Sequence, residues 1–75
     1  MLEDEIYKII KKIKGVNHSK KIDYDKDMFR SGYLDSLEMI NLVMQLEKKF
    51  KFKYDLFEEK YKIISINNLK EFIGD

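Results

Sequence analysis

The chain has 75 residues, a formal net charge of +1, 44% hydrophobic and 39% charged residues, and neither cysteine nor proline. That is too apolar for a disordered chain and too charged for a membrane span, and no apolar run approaches the roughly 18 residues a spanning helix needs. The lack of cysteine excludes a disulfide framework and a thiolate metal site, and 14 of the 15 basic residues are lysine rather than the arginine that reads bases and phosphates bidentately, so nucleic acid is not an expected partner.

The opening MLEDEIYKII carries acids early and no small-residue cleavage site. It reads as neither a secretory signal nor a transit peptide, and the expected location is the cytoplasm. Leu2 to Lys14 is predicted helical, because Leu2, Ile6, Ile9, Ile10 and Ile13 form one apolar stripe at a period of about 3.6 residues. Glu3, Asp4 and Glu5 sit in its first turn and Lys11, Lys12 and Lys14 in its last, as the helix dipole favours, and Gly15 is the expected stop. Residues 15 to 35 read as a long connection. A structureless run of about 20 residues must be tied down in a compact domain, and Val16, Ile22, Met28, Phe29 and Leu34 are the expected anchors. A short turn of helix is expected around Asp27 to Arg30.

Leu37 to Phe50 is the second predicted helix. In KFKFKYD, aromatic residues alternate with lysines, which argues for extended backbone. A lone strand has no pairing partner here, so the segment is expected to be an extended linker. LFEEKYK suits a short third helix. Ser65 is a fair N-cap for a fourth, whose apolar face is Ile66, Leu69, Phe72 and Ile73, with Gly74 following it. The expected fold is all-α: a single domain over residues 1–75, a small four-helix bundle of three longer helices and a short third, with a long first loop.

The second helix has more apolar surface than one core can take. Met39, Leu42, Val43, Leu46 and Phe50 make a complete core stripe. Leu37, Ile40 and Met44 make another, rotated away from it. Such a helix is either central in its core or turns one face to a partner, and the shortness of the chain favours the partner. Two residues compete to cap this helix. With Ser36 as N-cap the third helical position is Met39 and no capping box forms; with Asp35 it is Glu38, and a reciprocal box is available. Asp35 is therefore the expected cap, leaving Ser36 at the first helical position with its hydroxyl unused. As a catalytic nucleophile Ser36 lacks a neighbouring base, an oxyanion hole and a G-x-S-x-G elbow. The residues alone leave it open between a structural role and a site of modification.

Other candidates read as structural. Asp23, Asp25 and Asp27 alternate as at the start of a calcium loop, but Met28 and Leu34 stand where that loop needs glycine and glutamate. A polar turn-forming segment is expected instead, and no metal. His18 is expected on a loop surface, and Tyr33 as a loop anchor. Lys48, Lys49, Lys51 and Lys53 suit the end of the second helix; binding of an anionic surface through them is the weaker alternative.

Between Phe29 and Phe50 the chain resembles the phosphopantetheine-carrying acyl and peptidyl carrier proteins. The resemblance lies in Asp35-Ser36-Leu37, the following EMINLVMQLEKKF, and Phe29 shortly before the loop glycine Gly32; it extends more loosely over the whole layout. It implies that Ser36 is the attachment site of 4′-phosphopantetheine, taken from coenzyme A by a phosphopantetheinyl transferase, with Asp35 and Leu37 completing the transferase motif. It further implies a partner-facing stripe of Leu37, Ile40 and Met44 with Glu38 and Glu47 as acidic contacts. The expected function is that of a stand-alone, monomeric acyl carrier, not an enzyme. It would present thioester intermediates to fatty-acid, polyketide or related biosynthetic enzymes. An aminoacyl, D-alanyl or peptidyl carrier served by an adenylating ligase is the alternative within the family; an unmodified helical interaction module is the alternative outside it. Two features depart from fatty-acid carriers: the near-neutral charge, and a glycine four rather than three residues before the serine, a spacing more like that of D-alanyl carriers.

Overall fold

The computed structural model describes residues 2–15 and 22–74. Val16 and His18 lie outside the described residues. Four helices follow in order: α1 (Leu2–Lys14), α2 (Ser36–Phe50), α3 (Tyr54–Lys60) and α4 (Ile66–Gly74). No strand occurs among the described residues.

The predicted stripe of α1 supplies the first wall of the core. Ile6, Ile9 and Ile10 are buried, and Leu2 and Ile13 pack against them from the ends. The helix stops at Gly15, whose φ of 108° suits a residue without a Cβ and whose N–H donates to Lys11 O at 2.9 Å. α1 packs on α2 and α4. Lys14 at the end of α1 reaches Glu38 in the first turn of α2, so the two helices run antiparallel.

The long connection is tied down through its backbone. Met28 N–H donates to Ile64 O at 3.0 Å and Leu34 N–H to Met28 O at 2.9 Å. The Asp27 carboxylate binds the N–H groups of Phe29, Arg30 and, across the chain, Ile64. The alternating aspartates are thus turn-formers: Asp23 accepts from Asp25 N–H, and Asp25 from Asn67 Nδ2. No cluster of three potential metal ligands occurs among the described residues. Met28 and Leu34 are buried as expected, and Ile22 and Tyr33 pack against the core. Phe29 departs from the expectation: it is 47% exposed. The turn held by Asp27 directs Met28 inward and leaves Phe29 on the outer side. The stretch closes twice, with Ser31 N–H on Asp27 O and Gly32 N–H on Phe29 O, each at 3.1 Å, and stays a turn rather than a longer helix.

After α2 the backbone reverses through Lys51, which takes a left-handed φ of 56° where glycine is usual. The extended linker is shorter than predicted, because Tyr54 already opens α3. Its Phe52 is buried in an aromatic cluster. Phe57 sits at the centre, 5.0 Å from the Tyr61 ring in a stacked pair, 5.5 Å from Phe72 edge-on and 5.6 Å from Phe52. Ser65 is the cap expected for α4, its Oγ accepting from Asn68 N–H at 3.1 Å. Gly74 falls inside the last turn of α4 rather than after it. No helix among the described residues is long and apolar enough to cross a membrane.

Candidate functional site

The site is built around the start of α2. Asp35 has extended backbone, and its carboxylate accepts from Glu38 N–H at 2.8 Å; Glu38 Oε1 accepts in return from Asp35 N–H at 3.0 Å. This is the reciprocal box expected from the sequence. Lys14 adds a strut from α1, with Nζ 3.2 Å from Glu38 Oε1 and 2.7 Å from Tyr33 O. Tyr33 itself is half-buried beneath this strut, and burial, then Tyr7 and Glu38, push its phenol above the usual value. The turn before α2 is thus held from both sides. Removing the cap should be felt: Asp35→Ala is expected to cost about 1–2 kcal/mol, read in thermal unfolding as a fall of about 4–16 °C. A fall under about 2 °C would mean that the box contributes nothing.

With Asp35 as cap, Ser36 occupies the first helical position. It is exposed, and its hydroxyl makes no hydrogen bond among the described residues. The other described serines differ. Ser31 Oγ donates to Met28 O and accepts from Tyr33 N–H, and Ser65 is buried as a cap. Ser19 lies outside the described residues.

The two stripes of α2 part as the periodicity requires. Leu42 and Leu46 are fully buried, with Met39 and Phe50 packed against the core. Val43, expected in the same stripe, is only half-buried and does not pack on that core, since it sits at the edge of the stripe. Leu37, Ile40 and Met44 are 78%, 57% and 62% exposed. The other helices leave this second face uncovered. Glu47 lies on it, one turn beyond Met44, and is exposed. Glu38 is less available than the sequence suggested, because its carboxylate is committed to Asp35 and Lys14.

A groove of about 700 Å³ opens beside Ser36. Phe29, Met39, Ile40, Phe57 and Tyr61 give it an apolar lining, and Asp27, Arg30, Glu58 and Lys62 contribute charge. Tyr54 lines one side; burial, and then Glu58, push its phenol above the usual value. Sequence reasoning did not find this groove. Its walls come from the 27–30 turn, α2, α3 and the segment after α3, and no periodicity links segments so far apart in the chain.

The family model described as "Phosphopantetheine attachment site" matches residues 4–73. The chain belongs to this phosphopantetheine attachment family. Its cofactor is accordingly 4′-phosphopantetheine, held covalently. Curated relatives within reach carry two names. An "Acyl carrier protein homolog" of Mycoplasma pneumoniae is 34% identical over 73 residues, covering 89% of this chain and 82% of that protein. A "D-alanyl carrier protein" of Lactococcus lactis subsp. cremoris is 37% identical over 49 residues, covering 65% of this chain and 61% of that protein. No solved structure matches. The attachment family needs an accessible hydroxyl, room for an arm and a surface for the enzymes that act on it. An exposed serine hydroxyl, the adjoining groove and the uncovered stripe of α2 fit that need.

Proposed function

We propose that Ser36 carries the phosphopantetheine arm and that the chain is a stand-alone acyl carrier. The observation that carries this reading is the Ser36 hydroxyl: exposed, outside the capping network, and set between an apolar groove and an apolar helix face. The arm supplies a terminal thiol that holds cargo as a thioester, which a chain without cysteine cannot supply itself. The chain's own residues do the rest. Asp35 and Glu38 fix the turn that presents Ser36, and Leu37, Ile40 and Met44 offer partner enzymes a surface with Glu47 at its far end. An unbranched methionine suits a surface that must meet a transferase and several loading enzymes in turn.

An acyl cargo is favoured by the apolar lining of the groove and by the longer match to the acyl carrier homolog. The D-alanyl carrier is the second reading, favoured by the 37% identity over the matched 49 residues. Either carrier is taken to work as a monomeric single domain in the cytoplasm. Incubation with coenzyme A and a phosphopantetheinyl transferase should add one arm, and peptide mapping should find it on Ser36. An unmodified product would sink the carrier reading, and an arm on another serine would sink the site. The mass of the load on protein from its native host separates acyl from aminoacyl cargo.

The uncovered stripe makes its own prediction. Met44→Ala is expected to raise the transferase KM about fivefold, the loss of about 1 kcal/mol typical of a central interface side chain. Stability should stay within about 0.5 kcal/mol, because Met44 contributes little to the core. An unchanged KM would remove Met44 from the interface.

A further inference from the structure

Two acids and two bases line the groove beside Ser36; Asp27 is engaged by backbone N–H groups, while neither base is engaged. Asp27 Oδ1 accepts from Phe29 N–H at 2.9 Å and Arg30 N–H at 2.7 Å, and Oδ2 accepts from Ile64 N–H at 3.1 Å. Glu58 lies on the same wall as Tyr54, whose phenol it helps to push above the usual value. The Arg30 guanidinium and the Lys62 ammonium make no hydrogen bond or ion pair among the described residues. Arg30 is also the one arginine in a chain of 14 lysines. Its backbone is fixed by Asp27, so its side chain starts from a defined point on the groove wall.

We propose that Arg30 binds the phosphodiester of the arm, with Lys62 a weaker second cation on the same groove; the inference rests on Ser36 as the attachment point. A phosphodiester on Ser36 Oγ carries one negative charge and two non-bridging oxygens, the pattern a guanidinium fork matches with two parallel N–H donors. An ammonium offers a point charge without that fork. The fixed starting point of Arg30 lowers the ordering cost of the pair. Holding the phosphate turns the first bonds of the arm toward Met39, Ile40 and Phe57 rather than into solvent. Arg30 is thus a positioning residue for the arm.

The test uses protein carrying the arm with a free thiol and no cargo, so the phosphodiester is the only added anion. In nuclear magnetic resonance the Arg30 Nε–Hε signal is expected to move between unmodified and modified protein. The phosphorus signal should relax like the folded domain. Arg30→Gln should lower the ratio of held to free phosphate about two- to fivefold, the range of an exposed ion pair. Arg30→Lys, which keeps the charge and loses the fork, should fall between. Raising salt to about 1 M, where the screening length is about 3 Å, should erase the difference. An arm on Ser36 with an unmoved Arg30 signal and the same phosphorus relaxation in Arg30→Gln overturns this inference alone. A wild-type chain whose intact mass shows no arm overturns the attachment reading and this inference with it.

Discussion

Ser36→Ala is expected to receive no arm at all while unfolding at the same denaturant concentration as the wild type. Both halves follow from the capping geometry. The helix is capped by Asp35, whose carboxylate holds Glu38 N–H at 2.8 Å, and Ser36 adds no side-chain hydrogen bond to that network. An exposed residue outside any such feature changes stability by about 0.5 kcal/mol or less when replaced, and alanine is the best helix former. A cap would behave differently, losing about 1 kcal/mol. Intact mass after incubation with coenzyme A and transferase reads the first half, and urea denaturation reads the second. Ser36→Ala that still gains an arm places the site elsewhere. Ser36→Ala that loses both the arm and more than about 1 kcal/mol would give the serine a structural role that the geometry does not contain. Asp35→Ala is the converse case, with lower stability and the hydroxyl still present.

Much of this was legible in the sequence because it depends on local rules. The stripe of α1, the choice of Asp35 over Ser36 as cap, the Ser65 cap and the double stripe of α2 each follow from spacing within one helix, and the structure has each of them. Where several segments must agree, local spacing carries no signal. Phe29 was expected inside because it is a large apolar residue in a loop, but the Asp27 turn gives its inward place to Met28. Lys51 takes a left-handed φ without being glycine, so nothing marked the reversal after α2. Glu38 looked like a surface acid until Lys14, 24 positions away in the chain, came within 3.2 Å of it. The groove beside Ser36 is the largest case, since its walls span residues from Asp27 to Ile64.

Phe57→Ala is expected to remove about 3–5 kcal/mol of stability, the usual cost of emptying a buried phenylalanine site. A chain of this length has about 4–11 kcal/mol to lose, so the variant sits near or past the point of unfolding. Phe57 is 2% exposed and touches the rings of Phe52, Tyr54, Tyr61 and Phe72. Those rings come from the linker, α3, its following turn and α4, so a single truncation frees four segments at once. The short α3 is the most vulnerable of them. Its seven residues are too few to hold a helix by propensity alone, and Phe57 is its buried side chain. The same residue lines the groove beside Ser36, which couples core stability to the space available to an arm. Phe57→Leu should separate the two effects. It keeps an apolar side chain and is expected to cost about 1–1.5 kcal/mol, while still gaining an arm, because Ser36 is held by Asp35 and Glu38 rather than by α3. Urea denaturation followed by circular dichroism gives the stabilities. A Phe57→Ala protein that loses less than about 1 kcal/mol would mean that the aromatic cluster is not what holds α3 in place.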